Sequence, residues 1–138
     1  MYDLVLKNCN LVNENSSSEV DIAIKNQRIE KIASNIDSGS KEVLDCAGKL
    51  VIPGLIDDQV HFREPGLTHK GEIATESKAA IAGGVTSYFE MPNVNPNTST
   101  IVNLNKKFDM ASSRSYANYS FYLGATNENI EEIKNTIK

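Results

Sequence analysis

The chain has 138 residues, 40% of them apolar, and a formal net charge of −4 with a pI near 5.2. That length is one domain or part of one, and the apolar fraction suits a globular core. The acidic balance and scattered lysines argue against nucleic-acid and anionic-membrane partners; no stretch approaches the ~18 apolar residues of a membrane span, and MYDLVLKNCN has neither signal-peptide nor transit character, so a cytoplasmic location is expected.

Residues 1–52 read as a small β module. Tyr2 to Lys7 alternates, with Leu4 and Leu6 on one side and Val5 on the other. Asn8 to Asn10 is expected to break this strand, Leu11–Val12 to resume it, and Asn13 to Ser18 to form a polar turn. Val20, Ile22 and Ile24 share one side of the next strand, following the strand period of two. Asn26–Gln27 joins it to Arg28–Ala33 through a two-residue connection suited to a hairpin. Glu42 to Cys46 is a further short strand. A few such strands with one apolar face need a covering partner. Cys9 and Cys46 lack the spacing of a zinc finger or disulfide framework, so both are expected to be small buried hydrophobes.

The period changes after Pro53, and residues 53–138 read as three βα units. Gly54 to Phe62 begins apolar and ends polar. Lys70 to Ala82 is helical in pattern, with Ile73, Ala74, Ser77, Ala80 and Ile81 on one face and Gly83-Gly84 as its stop. Val85 to Met91 is a strand rich in β-branched and aromatic residues, and the loop PNVNPN follows it. Ile101, Leu104, Phe108 and Ala111 repeat at helical spacing behind an N-cap at Asn97, Thr98 or Ser99. Tyr119 to Leu123 is the third strand, and Ile130, Ile133 and Ile137 begin a third helix capped by Thr126 or Asn127.

This alternation predicts an α/β fold with a parallel sheet whose strands are neighbours in chain order. The units fit a doubly wound sheet or the start of a (β/α)8 barrel. No GxGxxG or P-loop follows a strand, which weakens a nucleotide-binding reading. A complete barrel needs ~250 residues. In the barrel reading, the chain is therefore an N-terminal fragment that stops within a helix.

Barrel chemistry sits at the C-terminal ends of strands. If the first strand continues through Glu64, then Gln59, His61 and Arg63 share one face. An imidazole suits zinc, whereas the amide oxygen of Gln59 is a weak zinc ligand. Pro92 ends the second strand and sets Asn93 at the rim. A guanidinium fork with an amide donor makes a good carboxylate clamp. Each residue also has a plainer reading, His61 as a satisfied polar residue, Arg63 in a surface pair, and Asp57 and Asp58 solvating a strand exit. His69 is expected to be exposed or at a helix start, and Glu90 to need a partner if buried. Tyr88, Phe89, Phe121 and Tyr122 are expected in core and helix packing.

VIPGLIDDQVHFREPG, followed by AAIAGGVTSYFEMPNVNP, resembles the opening of a dihydroorotase of the long-chain bacterial class in the amidohydrolase superfamily. That family's pattern is D-x-H-x-H-x-R-E-P-G after the PGxID turn, with MPN at the second strand end. The resemblance covers the whole chain, through YSFYLGAT. It implies a small N-terminal β module (1–52) followed by the first three βα units of a (β/α)8 metal-dependent hydrolase barrel (53–138). His61 matches the second metal-binding histidine, and Gln59 occupies the place of the first and departs from the pattern. Asp57 matches a supporting aspartate, of the kind that orients metal-bound imidazoles. Arg63 and Asn93 match the residues that hold the substrate carboxylate. The remaining metal ligands and the catalytic aspartate would lie beyond Lys138, so no catalytic group is expected within the chain.

The activity implied is reversible conversion of N-carbamoyl-L-aspartate to L-dihydroorotate in pyrimidine synthesis. Zinc would polarise the amide and activate water, a carboxylate would shuttle the proton, and Arg63 with Asn93 would orient the substrate. With Gln59 in place, Asp57 or Asp58 is the other candidate donor to the metal. The resemblance also implies a small-molecule substrate and, as protein partners, a second copy or aspartate carbamoyltransferase. Two other expectations stand beside the enzyme. Gln59 favours a non-catalytic dihydroorotase-like partner of aspartate carbamoyltransferase. Another cyclic amidohydrolase, such as an allantoinase, is opposed by the Arg63–Asn93 pair. The chain alone is expected to be inactive.

Overall fold

Asn8 does not end the first strand. β1 runs from Tyr2 to Asn13, 12 residues, through the Asn8–Asn10 stretch expected to break it. The computed structural model describes residues 1–136, and they divide at the Pro53–Gly54 junction into two compact units. In β1, Asn8 takes a left-handed backbone (φ 55°), and the ladder to the next strand slips between Leu6 and Cys9. This is a β-bulge, an extra residue absorbed without ending the strand. Buried Asp21 accepts the freed Asn8 amide at 3.0 Å, and the Asn8 side chain donates to Asp45 at 2.9 Å. The bulge also sets Leu6 and Cys9, three residues apart, against one core cluster.

A tight turn at Glu14–Asn15, both at positive φ, leads into β2 (Ser16–Lys25). Ser16 to Ser18 therefore belong to a strand and not to the expected polar turn, because the turn needs only two residues. Asn26 and Gln27, at φ 50° and 62°, make the hairpin connection to β3 (Arg28–Ala33). Positive φ at both positions is the signature of the turn that matches strand twist. β4 (Ser40–Asp45) and the two-residue β5 (Leu50–Val51), unforeseen from the sequence, both pair in parallel with β1. The sheet order is β3-β2-β1-β4, with β5 beside β1. One cluster gathers Val5, Ala23 and Ile36; another gathers Cys9, Ile22 and Cys46. The cysteines are buried as expected, with their sulfurs 3.5 Å apart. Burial and the neighbouring thiol push Cys9 up to about 11.

The second unit is a parallel three-stranded sheet, β6 (Leu55–Val60), β7 (Val85–Glu90) and β8 (Asn118–Phe121), adjacent in chain order. The connections are α1 (Ile73–Ala82) and α2 (Ile101–Ser112), and α3 (Ile130–Asn135) follows β8. The core lies between the sheet and its helices and holds Phe62, Ile73, Tyr88, Ala111, Ala117 and Phe121. Phe62 and Tyr88 rings meet at 4.5 Å, and Phe108 meets Phe121 edge-on at 5.0 Å. Tyr122 departs from the expected core placement. It is 40% exposed, and its ring faces Phe89 at 5.9 Å. Ile81 is 43% exposed, so α1 buries a narrower stripe, Ile73 and Ser77.

The helix starts also differ from expectation. Thr100, not Asn97, Thr98 or Ser99, caps α2, its hydroxyl accepting Asn103 N–H at 3.1 Å. The N-cap of α3 is Asn129, which is buried and donates to the Ser99 and Gly124 carbonyls. Tertiary bonds hold Asn129 there, whereas Thr126 and Asn127 lie in the approach to it. Ile137 lies outside the described residues. Among the described residues, no helix is long and apolar enough to cross a membrane.

Candidate functional site

The strand-end residues are set by what packs beneath them. β6 ends at Val60, earlier than the extended exit expected through Glu64. Val60 and Phe62 pack on the core, so Gln59 and His61 turn away from it and are exposed. Arg63 breaks the alternation. Its backbone is left-handed (φ 69°), a conformation costly for a residue with a side chain. Gln59, His61 and Arg63 therefore do not form one strand face.

The structure does bring His61 and Asn93 together, His61 Nδ1 lying 3.0 Å from Asn93 Oδ1. An amide oxygen can only accept, so in this contact Nδ1 is the donor. The Asn93 amide nitrogen remains available as a donor. Asp57 is exposed and accepts the Gln59 amide at 3.1 Å, within its own strand. It makes no hydrogen bond to His61 among the described residues. Gln59, Asp58, Met91 and Tyr122 line a hollow of about 230 Å³, and the Tyr122 hydroxyl donates to the Asp58 carbonyl at 3.0 Å. His61, Arg63 and Asn93 are not among its lining residues. His69 is exposed.

Five charged residues that the sequence did not single out as site residues lie beneath and beside these strand ends. Glu90, fully buried at the end of β7, accepts Arg63 N–H at 2.9 Å through Oε1. Its Oε2 lies 3.0 Å from Lys107 Nζ, an ion pair lacking hydrogen-bond alignment. Lys107, 1% exposed, also donates to the Met91 carbonyl at 3.2 Å. Burial pushes the Glu90 carboxyl up and the Lys107 amine down, each opposed by the partner's charge. Glu64, also buried, accepts the first amide of α1, Ile73 N–H, at 2.8 Å. This places a carboxylate at a helix N-terminus, where free amides favour negative charge. Arg114 pairs with Glu64 and, at 3.2 Å, with Glu72.

The two rim loops are tied together directly. Asn95 N–H donates to the Pro65 carbonyl at 3.1 Å. Gly66 sits at φ 80° so close to the Asn95 carbonyl that no Cβ would fit. Besides Glu90, expected to need a partner if buried, one further residue of this set had a sequence signal. Lys107 lies three residues after Leu104 and four before Ala111, inside the apolar stripe of α2. A lysine on such a stripe needs a buried counter-charge, and Glu90 in a buried strand offers one.

The sequence profile of the dihydro-orotase-like family matches residues 48–133. The chain belongs to that family. This dihydro-orotase-like chain is 42% identical over 133 residues to an allantoinase from Desulfitobacterium hafniense (strain Y51), covering 96% of the chain and 30% of the relative. It is 45% identical over 98 residues to a dihydroorotase from Streptococcus thermophilus (strain CNRZ 1066), covering 70% of the chain and 23% of that relative. The solved L-hydantoinase (dihydropyrimidinase) from Arthrobacter aurescens superposes with a TM-score of 0.95 at 31% identity, over 99% of this chain and 31% of that one. The chain thus spans less than a third of these relatives' length. All three carry names of cyclic amidohydrolases.

Proposed function

We propose that this chain forms the opening βα units of a (β/α)8 cyclic-amide hydrolase and supplies the substrate-carboxylate side of its site. The observation that carries this reading is Arg63. Its backbone amide is held by Glu90, and Arg63 is half-buried while its guanidinium has no hydrogen-bond or ion-pair partner among the described residues. A fork of donors without a counter-charge suits a carboxylate. Asn93 Nδ2 adds a neutral donor, beside the exposed His61 ring. Among the named relatives' chemistries, dihydroorotate hydrolysis to N-carbamoyl-L-aspartate is the one whose cyclic substrate carries the carboxylate this clamp asks for.

Zinc does not fit these residues alone. It takes a set of imidazole, thiolate or carboxylate donors, and no cluster of three or more His, Cys, Asp or Glu side chains among the described residues can hold a metal. His61 contributes one imidazole and Gln59 an amide, so no step is assigned to a metal here. Gln59 is also what favours the non-catalytic reading, a dihydroorotase-like partner of aspartate carbamoyltransferase. The 42% identity to an allantoinase favours a different substrate, a neutral ureide ring.

A titration of the 138-residue chain separates these readings. L-Dihydroorotate is expected to shift the Arg63 side-chain and Asn93 amide NMR signals, and Arg63→Gln to abolish the shift. Allantoin, without a carboxylate, is expected to leave both unmoved. Equal responses to the two ligands would favour the allantoinase reading, and no response to either would overturn the clamp.

A further inference from the structure

The Glu90–Lys107 pair is buried, costly and remote from solvent, yet it spans the elements that carry the rim. Glu90 ends β7 and Lys107 lies midway along α2. Their atoms reach outward to two strand exits. Glu90 Oε1 holds Arg63 N–H at 2.9 Å, just past β6, and Lys107 Nζ holds the Met91 carbonyl at 3.2 Å, two residues before Asn93. Taking two charges out of water is costly, and an apolar pair of similar volume is often as stable. Core filling alone therefore does not require this pair. What an apolar pair could not do is accept the amide of a residue in the left-handed region. Arg63 has that backbone (φ 69°), and an unpaired amide there would compound its strain.

We propose that Glu90, charge-balanced by Lys107, is a positioning residue for the anion clamp, fixing the Arg63 backbone so that the guanidinium stays aimed at the substrate carboxylate. The inference rests on the carboxylate-binding reading of Arg63. Two double variants remove the charges alike but differ in the acceptor. Glu90→Gln with Lys107→Met keeps an oxygen for Arg63 N–H, and Glu90→Leu with Lys107→Met has none. Amide hydrogen exchange at Arg63 is expected to be near wild type in the first and about tenfold or more faster in the second, the equivalent of one lost hydrogen bond. The His61–Asn93 contact, read as a nuclear Overhauser effect, is expected to follow the same order, as is L-dihydroorotate affinity.

If the leucine variant does not fold, Glu90→Asp decides. It keeps the charge on Lys107 but draws the carboxylate back by one methylene, and it is expected to show the same faster exchange. Equal Arg63 exchange in all folded variants overturns the positioning role. Absence of any L-dihydroorotate response in the wild-type chain overturns the carboxylate reading instead, and the exchange comparison still decides the role of Glu90.

Discussion

Asp21 joins three parts of the first unit from a buried position. It accepts Asn8 N–H at 3.0 Å and Ile36 N–H at 2.9 Å, and pairs with Lys7 at 2.5 Å. Lys7 chiefly, with the two amides, holds its carboxyl below the usual 3.8 against the opposing effect of burial. A carboxyl depressed in the folded state stabilises above its unfolded value and loses that contribution as pH falls through the folded one. The melting temperature is expected to drop as pH is lowered below 3.8, and Asp21→Asn to flatten this dependence at a cost of about 1–3 kcal/mol at neutral pH. Thermal melts across that range check the first, and denaturant melts at neutral pH check the second. At position 59 the expectation concerns metal. A second exposed imidazole beside His61 would make a two-nitrogen site, so Gln59→His is expected to raise Zn²⁺ affinity about tenfold or more, read by calorimetry. Equal affinity would show that the two positions do not converge. His61, Arg63 and Asn93 were named as candidates from the sequence, and the structure brings two of them, His61 and Asn93, into contact. The left-handed turn at Arg63 was not legible there, because the group that accepts its amide, Glu90, is far away in the chain.

Elements were read well where one period ran unbroken. The parallel strands and the helices of the second unit follow from alternating and helical spacing, and the structure pairs the strands in chain order. Their ends were read less well. Several polar residues competed for the α2 cap, and the choice of Thr100 came from how the PNVNPN loop folds, with Thr98 N–H on the Pro92 carbonyl and Gly124 N–H on the Thr98 carbonyl. Thr100→Ala is expected to destabilise by about 1 kcal/mol, with Thr100→Ser close to wild type, measured by thermal or denaturant melts. A silent Thr100→Ala would mean that tertiary contacts alone hold the start of α2. The same limit explains β1. Polar Asn8–Asn10 looks like a break, and only the carboxylates of Asp21 and Asp45 make it a bulge.

At the scale of the molecule, the chain covers less than a third of its relatives' length, and no metal-ligating cluster occurs among the described residues. The 138-residue chain alone is expected to show no hydrolysis of L-dihydroorotate, allantoin or hydantoin above the uncatalysed rate, with or without added Zn²⁺. A zinc-dependent rate abolished by His61→Ala would refute this. The sequence by itself determined the α/β order, the core stripes and the candidate residues of the rim. These follow from periodicity and residue chemistry, which are local. The tertiary structure alone decided which polar groups meet. It paired Glu90 with Lys107, set Glu64 on the first amide of α1, and joined His61 to Asn93 across 32 residues. Such contacts depend on the packing of distant segments, and burial makes each of them matter because an unmatched charge or amide has no water to turn to.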